Sequence, residues 1–280
     1  MCILWDEKKF ESIIRDAGLT GVSESLATAI YRAKKISTVS YPCLILTEIG
    51  TETEQIAEII HGEREGKLVT VDCRLYSKNL EDLHKELFSL GDEKDGPLEV
   101  WAKNGTLVFL HIDELPMVGQ FKLRAFYDVL ERKKSKIKLV FSAHSSIIGK
   151  VETEEFCSSF YYRIIASHID LKPLRDRPED IGPLLKHFWE VGKSEVKEKC
   201  GKLRQDTIDV LSDWYWPGNL LSLEAMVFNL MMRSIGEEWI TPKMIADKAY
   251  DFEREGFSRS RAKPVRSPRR RKSVKEAALA

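Results

Sequence analysis

The residues Thr47-Glu48-Ile49-Gly50-Thr51-Glu52-Thr53-Glu54 have the setting of a phosphate-binding loop without its chemistry. A short apolar run, "PCLIL", leads in, and an amphipathic stretch follows with Ile56, Ile59 and Ile60 on one face. A P-loop works because glycines let backbone N–H groups close around phosphates while a lysine reaches the β- and γ-phosphates. Here Thr53 stands where the lysine is required and Glu52 where a glycine is expected. Losing one charge-assisted hydrogen bond costs ~1.5–3 kcal/mol. A carboxylate about 4 Å from a phosphate oxygen repels it by roughly 4 kcal/mol at an effective dielectric near 20. Gly50, Thr51, Thr53 and Glu54 are the candidate nucleotide contacts, and they read as a degenerate, non-functional set.

Positioning such a loop requires a strand before it and a helix after it, and the pattern repeats along the chain. "KLVTVDC", "GTLVFLHI" and "KIKLVFSA" are short apolar runs, and "YYRIIASHIDL" contains a fifth. Between them "NLEDLHKELFSL" places Leu80, Leu83, Leu87 and Leu90 in helical register, and "GQFKLRAFYDVLERKK" is a further helix. Residues from about 8 to 36 read as two helices, with Ser23 as an N-cap. Near-continuous apolar strands alternating with helices predict an α/β fold, a parallel sheet covered on both faces. From about 178 to 251 the chain reads as entirely helical. The expected division is an α/β core over 1–172, a helical domain over 173–252 and a basic tail over 253–280.

Hydrophobic residues make up 43% and charged residues 31% of 280, a globular mix with no ~18-residue apolar span. The apolar segment at the N-terminus is too short for a signal peptide, so a cytoplasmic protein is expected. The scattered cysteines 2, 43, 73, 157 and 200 predict reduced thiols and no metal site. Lys+Arg and Asp+Glu are both 44, but the segment from Phe257 onward holds nine basic residues against the single acid Glu276. That segment, with Arg269, Arg270, Arg271 and Lys272 at its centre, is too poor in large apolar residues to build a core and is expected to be disordered.

Five stretches in order resemble the AAA+ domain of bacterial sigma-54-dependent transcription activators, the enhancer-binding proteins. "LTGVSESLATAIYRAKKIS" is similar to the family's first helix, and "VDCRLYSKNLEDLHKELF" to its V-N-C-A-A-x-x-x-x-L-x-E-S-E-L-F stretch. "NGTLVFLHIDELPMVGQFKL" resembles G-G-T-L-F-L-D-E-I-x-E-L-P-x-x-x-Q-x-K-L. "FYYRIIASHIDLKPLRDRPEDI" and "WYWPGNLLSLEAMV" are similar to L-Y-Y-R-L-x-x-x-x-I-x-L-P-P-L-R-E-R-x-E-D-I and Y-x-W-P-G-N-V-R-E-L-E-N-V. The resemblance runs from about Leu19 to Asp251 and implies a Rossmann-like AAA+ core with a C-terminal helical lid.

Carried over residue by residue, the family's machinery is missing. Its metal-binding Asp and water-activating Glu fall at Leu110 and His111. In a second register Asp113 and Glu114 supply the acidic pair, but "ELP" and "Q-x-K-L" follow without a gap only in the first. His111 itself reads as a structural hydrogen-bonder. The A-T-N sensor falls at Ser142-Ala143-His144. Of the two arginines that reach a neighbouring subunit, the first is Cys157 and the second, Arg163, is kept as a candidate interface residue. The lid arginine is Leu221, and the G-A-F-T-G-A loop that engages sigma-54 has no counterpart in "SLGDEKDGPLEVWAK". Trp214 and Trp216 are expected in lid packing.

The resemblance therefore implies a catalytically inactive regulator of transcription that binds no ATP or Mg²⁺, is not an enzyme, and acts through protein contacts with itself or an active AAA+ relative. The alternatives are a DNA-binding regulator using the basic tail or a following helix-turn-helix, and an atypical ATP-binding ATPase. No membrane contact is expected. Because the tail is a polycation, gel shifts are expected to show weak, sequence-independent DNA binding at low salt that vanishes near physiological salt. Deletion from Phe257 onward should abolish it, whereas binding that survives deletion would place DNA recognition in the globular body.

Overall fold

The computed structural model describes residues 7–88, 95–196 and 200–245. Five strands, β1 (Cys43–Thr47), β2 (Leu68–Asp72), β3 (Thr106–Leu110), β4 (Lys138–His144) and β5 (His168–Asp170), form one parallel sheet in the order β2-β3-β4-β1-β5. The helices of the first half are α1 (Glu7–Arg15), α2 (Glu24–Ser37), α3 (Thr53–His61), α4 (Leu80–Leu87), α5 (Pro97–Trp101), α6 (Met117–Arg132), α7 (Ile147–Glu152) and α8 (Ser158–Ile164). β3 is buried at all five positions, as a central parallel strand covered on both faces must be.

Side-chain alternation along the strands divides the core in two. Leu107 and Phe109 point to one face with Leu139, Phe141 and Leu44, under α4, α6 and α8. Val108 and Leu110 point to the other with Val140, Cys43 and Ile45, under α1, α2 and α3. The first face is held by aromatic packing: Phe109 stacks on Phe141 at 5.7 Å and meets Phe126 edge-on at 6.2 Å. Ser23 caps α2, its hydroxyl accepting from Leu26 N at 3.3 Å. The buried Lys138 anchors the approach to β1 by donating to the carbonyls of Ile36, Val39 and Tyr41, and burial pulls its ammonium down to about 8.

Beyond β5 a third core forms between α9 (Ile181–Glu195), α10 (Gln205–Ser212) and α11 (Asn219–Arg233), gathering Trp189 of α9, Leu211 of α10 and Leu230 of α11 with Leu174 before α9 and Trp214 and Trp216 between α10 and α11. Trp216 is fully buried and donates Nε1–H to Leu211 O at 2.9 Å. The expectation of an entirely helical lid is corrected here. β6 (Lys202–Leu203) pairs in parallel with β7 (Trp239–Ile240). Two-residue strands are too short to leave an alternation in the sequence. The expected end of the 79–90 helix at residues 89 and 90, the last part of the 178–251 reading and the whole basic tail lie outside the described residues.

Phe109 packs against two aromatic rings, Phe126 and Phe141, so Phe109→Ala is expected to lower stability by ~3–5 kcal/mol in a urea unfolding experiment. A loss under 1 kcal/mol would mean that the aromatic cluster does not carry this face.

Candidate functional site

β1 ends at Thr47 and delivers the loop to the C-terminal edge of the sheet, where ligands bind in open parallel α/β folds. Three hydroxyls converge there. Thr47 Oγ1 contacts Thr51 Oγ1 and lies 3.1 Å from Thr53 Oγ1, which is itself 3.1 Å from Thr51 Oγ1. Thr51 also donates to Glu48 O at 3.0 Å. The loop thus satisfies its own polar groups across the turn, and Thr53 contributes a hydroxyl where a P-loop has an ammonium.

The loop carbonyls are taken by the lid. Leu220 N donates to Gly50 O at 2.8 Å, and Asn219 Nδ2 donates to Ile49 O at 2.9 Å. Asn219 Oδ1 accepts from Leu174 N at 2.8 Å, so one side chain ties the hinge to the loop. Gly50 has φ +80°, and a Cβ placed on it would lie 2.2 Å from Gly218 O. Only glycine fits, for both the backbone conformation and the close approach.

Charge reinforces the contact. Arg175 makes a bidentate pair with Glu48, at 2.6 and 2.5 Å, and lies over the Tyr215 ring at 4.7 Å. Burial raises the Glu48 pKa, but the Arg175 hydrogen bonds and charge, with His144 nearby, outweigh it and hold the carboxyl below its ordinary value. Glu52 is only 2% exposed and is paired with the equally buried Arg177. The expectation that Glu52 acts as a free repelling carboxylate in the cradle is corrected: its charge is neutralised by the lid. Glu54, on the first turn of α3, faces solvent.

A cleft of about 360 Å³ beside the loop is lined by Thr47, Arg74, His111, Asp113, Glu114, His144 and Lys150. β3 stops at Leu110, and His111 turns into the left-handed region at φ 55°. The strand therefore ends two residues earlier than "GTLVFLHI" suggests, and Asp113 and Glu114 sit in the following 3₁₀ turn rather than at a strand end. Asp113 is held by Lys150 at 3.0 Å and by His144 N at 3.2 Å. Burial and the Arg74 charge hold the His111 imidazole below its ordinary value, so the neutral form dominates at pH 7.

Gly50, Thr51, Thr53, Leu221 and the ends of β3 and β4 are thus brought to one place, with Leu221 Cγ 3.2 Å from a Cβ built on Gly50. Arg163 belongs to a different surface: it pairs with Asp128 and, at 3.4 Å, with Glu131 on α6. Arg269, Arg270, Arg271 and Lys272 lie outside the described residues. Thr47, Arg175, Arg177, Asp180 and Asn219 were not singled out from the sequence. The available signal was an acid in place of a loop glycine together with two arginines two residues apart in "LRDRPED".

A five-stranded parallel sheet in this order, its first loop covered by a helical lid, defines an AAA+ fold. Residues 19–170 match the family described as the Sigma-54 interaction domain, and residues 175–261 match the AAA+ ATPase lid domain. The chain belongs to the sigma-54-dependent transcriptional activator family. It is 34% identical over 215 residues to the pathogenicity locus probable regulatory protein HrpS of Pseudomonas savastanoi pv. phaseolicola, covering 69% of each chain. It is 30% identical over 225 residues to the DNA-binding transcriptional activator HyfR of Escherichia coli, covering 73% of this chain and 32% of that one. The chain therefore spans about a third of HyfR and about two thirds of HrpS. The crystal structure of NtrX from Brucella abortus in complex with ATP shares the fold, with a TM-score of 0.71 and 24% identity over 81% of this chain and 56% of that one. Among the described residues no helix is long and apolar enough to cross a membrane.

The Glu48–Arg175 contact has a defined pH dependence. Because the folded-state value of Glu48 lies below 4.5, its contribution to stability is complete above that pH and is lost as pH falls through the lowered value. Stability is therefore expected to fall more steeply below pH 4.5 in the native chain than in Glu48→Gln, followed by tryptophan fluorescence. Parallel acid profiles would show that the pair does not contribute.

Proposed function

We propose that this chain is a catalytically inactive member of the family that regulates transcription by protein contact rather than by ATP turnover. The observation that carries the reading is the hydroxyl cluster of Thr47, Thr51 and Thr53 at the loop, with the loop carbonyls already bonded to the lid. Phosphoryl transfer depends on charges positioned around the γ-phosphate and its metal. A nucleoside triphosphate does not fit the residues present: Thr53 brings no cation, Leu110 offers no oxygen to a hard metal ion, and the Leu221 side chain cannot pair with a phosphate. The nearby cations Arg74 and Lys150 are engaged by Asp72 and by Asp113 with Glu114.

The fold supports a role as a scaffold. Both faces of the sheet and the lid core are fully packed, so folding does not call for a bound nucleotide. The partner we favour is a second copy of the chain or an active AAA+ relative. Arg163 is a candidate contact in such an assembly, and a partner would have to compete with Asp128 and Glu131 for it. The charge imbalance of the chain favours a second reading, non-specific DNA contact through the basic segment from Phe257 onward.

A phosphate-release assay at high protein concentration, run beside titration of a fluorescent ATP analogue with and without Mg²⁺, tests the first reading. No turnover and no saturable binding at millimolar nucleotide are expected. Turnover that disappears in Asp113→Asn or Glu114→Gln would overturn it and make the turn after β3 the catalytic acidic pair.

A further inference from the structure

We propose that Glu52, Arg177, Asp180 and Ser23 form an internal latch that holds the lid closed on the core in the absence of any nucleotide. The four residues are 2%, 0%, 0% and 1% exposed. Arg177 sits at the centre: one guanidinium nitrogen pairs with Glu52 Oε2, another lies 3.3 Å from Asp180 Oδ2, and Nε donates to Lys172 O at 3.0 Å. Asp180 in turn accepts from Val22 N at 2.6 Å, Ser23 N at 2.8 Å and Ser23 Oγ at 2.6 Å. The network therefore joins three separate parts of the chain. Glu52 immediately precedes α3 on the core loop, Arg177 and Asp180 lie where the lid begins, and Ser23 caps α2.

The direction of each contact argues for a latch rather than a general surface pair. Both lid arginines, Arg175 and Arg177, reach across to acids of one loop, Glu48 and Glu52. Opening the lid separates both pairs and takes from the buried Glu52 its charge partner Arg177, when Glu52 Oε1 already has no hydrogen-bond partner among the described residues. An uncompensated buried charge is strongly unfavourable, so the closed arrangement is the one in which these groups are satisfied. The backbone is shaped for it too: a Cβ on Gly21 would lie 2.8 Å from Asp180 Oδ1, so the segment before α2 passes the carboxylate at a distance that admits no side chain.

A soluble anion can bias a lid only by binding one state better than the other. Glu52 is an anion that the chain carries at a fixed place, so closure is set by the sequence and not by nucleotide concentration. The latch is independent of whether any ATP is hydrolysed. Its consequence is a constant orientation of lid and core, presented to partners as one surface.

Amide hydrogen exchange tests this directly. Leu220 N–H, bonded to Gly50 O across the boundary, reports lid opening, while Phe109 and Val140 report the sheet. Glu52→Gln is expected to speed exchange at Leu220 at least tenfold and to leave Phe109 and Val140 unchanged. Exchange at Leu220 within twofold of the native rate would overturn the proposal, as would an equal increase at all three positions. Should Glu52→Gln fail to fold, Glu52→Gln/Arg177→Met removes both charges of the pair. That variant is expected to fold with fast exchange at Leu220, and slow exchange there would overturn the latch.

Discussion

The structure depends on one buried contact between loop and lid, the Glu52–Arg177 pair and the Asp180 carboxylate behind it. Moving charges out of water is expensive, and a buried pair is justified only when its geometry and remaining hydrogen bonds are good. Asp180 meets that condition with two backbone amides and a hydroxyl. Glu52 meets it less fully, because its Oε1 has no hydrogen-bond partner among the described residues. A contact of this kind gains little stability over an apolar one. What it supplies is specificity, since the arginine is satisfied in one relative placement of lid and core.

That constraint explains the arrangement around it. Gly50 is needed because Gly218 O approaches to within the space of a side chain, and Asn219 bridges because two orphan groups, Ile49 O and Leu174 N–H, face each other across the boundary. The left-handed backbone at Asn219, φ 48°, is tolerated at an asparagine and turns its amide toward the loop. The loop hydroxyls contact one another, and the carbonyls of Ile49 and Gly50 accept from the lid. A shared fold does not by itself establish a shared chemistry, because function resides in the side chains grafted on the fold.

Much of the architecture was legible because parallel strands buried on both faces read as unbroken apolar runs. "TLVFL" and "KLVFSA" are such runs, and the helical spacing of Ile56 and Ile60 fixes which side of α3 turns inward. Short elements escaped for the converse reason. β6 and β7 have two residues each, and their pairing depends on the turn after α11 bringing Trp239 beside Lys202. The end of β3 also escaped, since His111 continues the apolar rhythm of "LVFLHI" while its backbone leaves the strand.

The sequence by itself determined the α/β core, the lid and the absence of the loop lysine, because each is a property of residue types at fixed local spacing. It also showed that position 52 carries a carboxylate. Only the tertiary structure decided what that carboxylate does. Read along the chain, Glu52 is a charge placed against a phosphate. In the folded molecule Arg177, 125 residues further on, lies against it. A Coulomb interaction depends on distance and burial, and neither is written in local sequence. The same acid is therefore a repulsive group in the one view and half of a buried ion pair in the other.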